Sequence, residues 1–216
     1  MRKVAESLFS KLESGLVRIY TPDSEWNGTG FAVAGEFIIT CAHVLAWIPD
    51  AGNLDVPYTH VQLGSVTGTT PQCVGRLIFY DSCNGVAIIA SPDEQDFAKE
   101  AEKYDALCSE LKAVKVRGEY VKPRVALDAL VRNCDGKWLN VKATKGAVEP
   151  SSLNLIMENV DERTPAGTSG SPVFDTRGRV IGVLKVGVET SGEAVAASVP
   201  DNFPLWLARR LKLVKD

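Results

Sequence analysis

The chain has 216 residues, 45% of them hydrophobic and 24% charged, a balance typical of globular proteins and far from that of disordered chains. Its 24 basic and 27 acidic residues leave a formal net charge of −3 without a basic stripe, which argues against nucleic acid as a partner. All-β barrels of this length often form one unit with a sizeable core, so the length does not call for two independent domains.

Residues 1–15 include Arg2, Lys3, Glu6, Lys11 and Glu13, so no uninterrupted apolar run reads as a signal peptide. No stretch approaches the roughly 18 apolar residues that cross a bilayer, and no membrane association is expected. Five cysteines, Cys41, Cys73, Cys83, Cys108 and Cys134, are odd in number and never form a CxxC pair. They read as reduced, mostly buried hydrophobes of a cytoplasmic protein, not as a disulfide framework or zinc site, and neither metal nor cofactor is expected.

In chain order, Val4, Leu8, Phe9 and Leu12 recur at helical spacing and predict a short amphipathic helix. Six β-rich runs follow between glycine or polar turns: residues 15–20, 30–34, 37–40, 60–63, 73–80 and 86–90. From Pro92 a helical pattern returns, with Asp93 and Glu94 near its start. Phe97, Ala101, Tyr104, Cys108 and Leu111 lie on its apolar face, and its opposite face is charged. A second β-rich series covers 114–120, 126–131, 138–143, 153–160, 171–174, 179–188 and 194–199, and the tail 203–214 reads as a helix.

Strands that do not alternate with helices predict an all-β fold of two packed antiparallel β-barrels, with N-terminal, inter-barrel and C-terminal helices. The expected organisation is a single domain over 1–216: N-terminal helix and first barrel in 1–91, a helical linker in 92–113, the second barrel in 114–200 and the closing helix in 201–216. The charged helix over about 93–112 is a candidate docking surface for a partner, with a plain linker helix as the alternative.

Only two histidines are present, His43 and His60. His43 ends the β-rich run Phe37-Ile38-Ile39-Thr40-Cys41-Ala42-His43, whereas His60 sits where a polar stretch becomes a strand and reads as a surface residue. Further on stands Gly167-Thr168-Ser169-Gly170-Ser171-Pro172. Glycines flanking Ser169 permit a tight turn that exposes its hydroxyl and turns the amides of Gly167 and Ser169 toward one point. A serine, an imidazole to take its proton and two amides for an oxyanion are the parts of nucleophilic acyl transfer. Cys41, two residues before His43, reads as packing.

Taken together, Gly28-Thr29-Gly30-Phe31, Thr40-Cys41-Ala42-His43-Val44 and Gly167-Thr168-Ser169-Gly170-Ser171-Pro172-Val173 resemble the chymotrypsin/trypsin superfamily of serine proteases. The resemblance runs from about Leu16 to Pro200 and is nearest in style to HtrA-like and intracellular bacterial trypsin-like domains. It implies a serine endopeptidase with Ser169 as nucleophile, His43 as general base and an oxyanion hole at Gly167 and Ser169. Two departures stand out. Thr168 replaces the aspartate by which secreted relatives receive a new N-terminus, so that activation route is not expected. The register that carries the catalytic aspartate, directly ahead of Val86-Ala87-Ile88-Ile89, falls on Gly85.

Glycine cannot orient an imidazole, and losing the acid typically costs about 10⁴ in turnover. Three explanations are open: Asp81, four residues upstream, takes the role through an altered loop; the site is a weakened or engineered variant; or it is a dyad aided by solvent. The resemblance also implies that substrate pairs by β-augmentation with Lys185, Val186, Gly187 and Val188, and that Arg163 floors the primary pocket, with a side chain that simply points into solvent as the alternative. The rival reading is a catalytically impaired peptide-binding module that keeps the barrels and groove.

Overall fold

The structure is a computed structural model and describes residues 9–34, 36–45, 59–119, 121–133, 135–145, 151–157, 167–188, 193–199 and 201–213. The first barrel is a closed ring in the order β1 (Leu16–Tyr20), β2 (Trp26–Val33), β3 (Phe37–Thr40), β6 (Val86–Ala90), β5 (Cys73–Asp81) and β4 (His60–Ser65). Its pairs are all antiparallel.

The second sheet runs β11 (Pro172–Asp175), β8 (Ala126–Arg132), β9 (Trp138–Lys145), β10 (Ser152–Met157), β13 (Glu193–Ser198), β12 (Arg179–Val188) and β7 (Lys115–Val116). Pairing of β11 with β12 closes six of these strands into a second antiparallel barrel, and the two-residue β7 adds to β12 in parallel. The fold is therefore the two-barrel, chymotrypsin-like architecture that the strand pattern predicts.

Alternation explains why these segments are strands. In β9, Leu139, Val141 and Ala143 turn inward, between Asn140 and Lys142 on the outer face. Leu139, Val141, Ala143, Leu153, Leu155, Val173, Ile181 and Ala196 form the core of the second barrel. The first barrel is filled by Leu16, Ile19, Phe31, Ile38, Ile39, Leu63, Ile88 and Ile89. That apolar cluster continues through Phe174, Val183, Val199, Phe203 and Leu207, so the barrels and the C-terminal helix α2 (Leu205–Arg210) share one interior surface.

The linker is helix α1, Glu94–Glu110, capped by Asp93, whose carboxylate accepts from the Gln95 amide at 2.9 Å. Its apolar positions behave as expected for Ala101, Tyr104 and Cys108, all buried. Phe97 departs from the prediction: its backbone is non-helical (φ −133°, ψ 41°) at a kink, and its ring is 42% exposed and rests 4.9 Å from that of His60. His60 is an exposed residue of β4, as its sequence context predicts. The described helix at the N-terminus covers residues 9–13, and α2 is shorter than the predicted tail.

Tyr104 anchors α1. Its ring is fully buried and its hydroxyl approaches the carbonyls of Glu36 at 2.9 Å and Ile89 at 3.2 Å. Tyr104→Phe keeps the ring's volume but strands these acceptors, so thermal unfolding should show a loss of about 1–3 kcal/mol. An unchanged melting curve would contradict the anchoring role.

Candidate active site

His43 and Ser169 come from different barrels. His43 lies on a single 3-10 turn, Ala42–Leu45, at the end of β3, with Ala42, Val44 and Leu45 buried beneath it and the imidazole turned outward. The turn is held from two sides. The side-chain amide of Asn27 in β2 donates to the Val44 carbonyl at 2.7 Å, and the Ala42 amide donates to the Gly85 carbonyl at 3.1 Å.

Ser169 sits in a turn bounded by two positive-φ glycines, Gly167 at +86° and Gly170 at +84°, the conformation that glycine permits. Thr29 of β2 fastens this turn to the first barrel. Its amide donates to the Ser169 carbonyl at 2.8 Å, its hydroxyl donates to the Gly167 carbonyl at 2.9 Å, and its own carbonyl accepts from the Thr40 hydroxyl at 2.8 Å.

On the other side, the Gly170 amide donates to the Leu184 carbonyl and the Ser171 amide to the Thr168 carbonyl. Among the described residues, the turn's own bonds thus use the amides of Gly170 and Ser171, not those of Gly167 and Ser169. The indole of Trp26 covers Gly167, and the Arg18 guanidinium covers the indole at 4.4 Å.

In the free protein Ser169 Oγ donates to the Lys185 carbonyl at 3.3 Å. His43 has a different neighbour: Cys41 Sγ lies 3.5 Å from Nδ1 and 3.8 Å from Nε2. Cys41 is fully buried, and that burial pushes its thiol up to about 12, so it is a neutral neighbour and no nucleophile. The imidazole has an exposed edge yet enough surrounding protein to lose part of its hydration, and this desolvation, followed by the Lys185 ammonium, holds its pKa below the ordinary histidine value.

The acid register is equally well defined. Gly85 is buried at φ +76° at the end of the turn that follows β5, directly behind the His43 turn. A Cβ placed there would lie 2.5 Å from Cε and 2.9 Å from Cδ of Lys185. Asp81, the alternative acid, is engaged elsewhere. Its oxygens accept from the Asn84 amide at 3.0 Å and the Asn84 side chain at 2.7 Å, while its carbonyl accepts from the Gly85 amide, an arrangement that closes the turn. The structure therefore brings Gly85 and Lys185 to His43 and ties Asp81 to Asn84.

Lys185 is the extra residue of a bulge in β12, where the pairing with β13 shifts between Leu184 and Val186. Val186, Gly187 and Val188 continue the strand beyond it, paired with Val195, Ala194 and Glu193. Arg163 lies outside the described residues. Sequence reasoning missed Trp26, Asn27 and Thr29 as supports of the two turns, and it treated Lys185 only as groove backbone. The signal for Thr29 was present in the Gly28-Thr29-Gly30 motif, although its partner lies 138 positions away.

A two-barrel fold with a serine turn on one barrel and a histidine turn on the other defines a protease-like architecture. The family described as "Trypsin-like peptidase domain" matches residues 28–183. The chain belongs to this family and is a trypsin-like serine endopeptidase by class.

Among solved structures, the active form of the Rv3671c protease from M. tuberculosis is 18% identical with a TM-score of 0.61, covering 98% of this chain and 86% of that one. The inactive form of the Rv3671c protease is 19% identical with a TM-score of 0.58, covering 99% and 95%. A human pathogenic astrovirus serine protease is 18% identical with a TM-score of 0.54, covering 89% and 94%. At these identities the likeness is one of fold. By sequence, no curated protein matches the chain.

Proposed function

We propose that the chain cleaves peptide bonds through a Ser169 acyl-enzyme with His43 as general base, at a rate reduced by the glycine at position 85. The observation that supports this reading is the serine turn itself: two positive-φ glycines, clamped by Thr29 and Leu184, present one hydroxyl beside two amides that, among the described residues, the turn's own bonds do not use. Gly167 and Ser169 supply those amides to the oxyanion. Such preorganised donors are worth about 10²–10³ each in turnover.

A substrate strand pairing along Lys185–Val188 competes with Ser169 for the Lys185 carbonyl and releases the hydroxyl toward His43. Arg163 as pocket floor, with a preference for acidic side chains, is part of the same proposal. The two barrels act as one domain. The exposed face of α1, with Lys99, Glu102 and Lys103, is left for solvent or a docking partner.

Among the described residues no helix is long and apolar enough to cross a membrane. The free thiols of Cys41, Cys73, Cys83 and Cys108 support a reducing, cytoplasmic setting. The rival reading, an impaired peptide-binding module, draws its support from Gly85 alone.

Labelling with a fluorophosphonate separates the two. A single adduct is expected on Ser169, absent in Ser169→Ala and slowed in His43→Ala. Ser169→Ala should unfold near the parent temperature, because losing a half-exposed hydroxyl opens no core cavity. Peptide cleavage by Ser169→Ala at the parent rate would refute the assignment, and a folded parent that never labels would favour the binding module.

A further inference from the structure

The glycine at the acid register and the Lys185 side chain share one space. A residue with a side chain at position 85 would project onto Lys185, so glycine there is what allows the lysine chain to lie across this spot. The bulge in β12 aims Lys185 at it, as bulges beside active sites re-aim side chains. Among the described residues no carboxylate forms an ion pair with Lys185, and the nearest acidic group in the neighbouring turn, Asp81, is held by Asn84.

We propose that Lys185 stands in the place of the catalytic acid as a positioning residue: its alkyl chain fills the space over Gly85, and its ammonium opposes the charging of His43. This inference rests on the His43–Ser169 reading of the site. Its chemistry is opposite to that of a carboxylate. An acid behind the imidazole stabilises the imidazolium formed when Ser169 gives up its proton. A cation in the same place opposes that charge, and so slows acylation while keeping the base unprotonated in more acidic media.

Among the described residues, the charged and titratable groups around His43 are few. Lys185 of β12 supplies a positive charge, Cys41 of its own segment a neutral thiol, and the turn after β5 the bound Asp81. Among the described residues, Lys185 is the charge that acts on the ring.

Lys185→Met keeps the side chain as far as Cε and removes the ammonium, and Lys185→Arg keeps the charge. In a His60→Gln background, which leaves one imidazole, the titration of His43 by nuclear magnetic resonance and the pH dependence of fluorophosphonate labelling are read together. With the cation gone, His43 should titrate at a higher pH than in the parent, and the acid limb of labelling should move up with it. Lys185→Arg should leave both where they were. Lys185→Gln serves as a second neutral variant if the methionine variant unfolds.

A His43 titration unmoved in the neutral variants would overturn the inference even if Ser169 labels normally. Loss of labelling in the parent and in every folded variant would instead strike the acyl-enzyme reading, while the titration still decides the role of Lys185.

Discussion

Gly85→Asp combined with Lys185→Ser is expected to raise kcat/KM on a peptide substrate by about 10⁴, the amount that an acid behind the histidine typically contributes. The single substitution Gly85→Asp should give far less. Its Cβ would lie 2.5 Å from Lys185 Cε, so the new carboxylate meets the ammonium before it meets the imidazole. A buried carboxylate and ammonium pair with each other, and the acid is spent on the lysine.

With Lys185→Ser the space opens and the carboxylate has His43 as its remaining cationic partner once the proton is transferred. Aspartate also accepts the positive φ of position 85 better than most residues, at roughly 1–2 kcal/mol of strain. Thermal unfolding of both variants checks that the comparison is between folded proteins. A double variant no faster than the parent, with its fold intact, would mean that position 85 is not the acid register. The expectation for Asp81→Asn is the reverse of a catalytic loss: it loosens the turn that Asn84 closes and leaves the rate within a few-fold.

What the sequence made legible and what it hid follow from the range of the interactions involved. Alternation within β9, or the uninterrupted apolar run of β6, is decided over a few residues, so the barrel strands could be read directly. The serine turn was legible because its glycines state the backbone geometry locally, and His43 because only two histidines compete.

The direction of Lys185 was not legible, since it depends on a bulge set by the pairing of β12 with β13. Asp81 illustrates the same limit from the other side. Proximity in sequence made it a candidate acid, but Asn84, three residues on, offers two donors at shorter range. Cys41 packs as expected, although its sulfur also lies 3.5 Å from the histidine ring, where a hydrogen-bonding acid would be of use. Phe97 was placed on the buried face by period alone, and the kink that turns it toward His60 has no marker in the residue pattern.

The largest stability effect is expected at Gly170, where the serine turn passes closest to the first barrel. A Cβ at this position would fall on the carbonyl oxygen of Thr29 and the hydroxyl of Thr40, and the backbone stands at φ +84°. Both obstacles are rigid. The Thr29 carbonyl belongs to β2 and already accepts from Thr40, and Thr29 also carries the two bonds that hold the turn.

Gly170→Ala must therefore push the turn away from β2 and break those bonds, in addition to adopting a left-handed conformation. The combined cost should be about 3 kcal/mol or more. For a chain of this size that is a fall in Tm of roughly 6–12 °C. Gly68→Ala is the matched control, because its Cβ would come no nearer than 3.4 Å to Ser65 and its φ is not positive.

The two variants also differ in what they do to the serine. Moving the turn displaces Ser169 and the amides of Gly167 and Ser169 together, so Gly170→Ala should lose fluorophosphonate labelling even at temperatures where it remains folded, and Gly68→Ala should label like the parent. If Gly170→Ala melted with the parent and labelled at the same rate, the clamp between Thr29 and the serine turn would not be what positions the nucleophile.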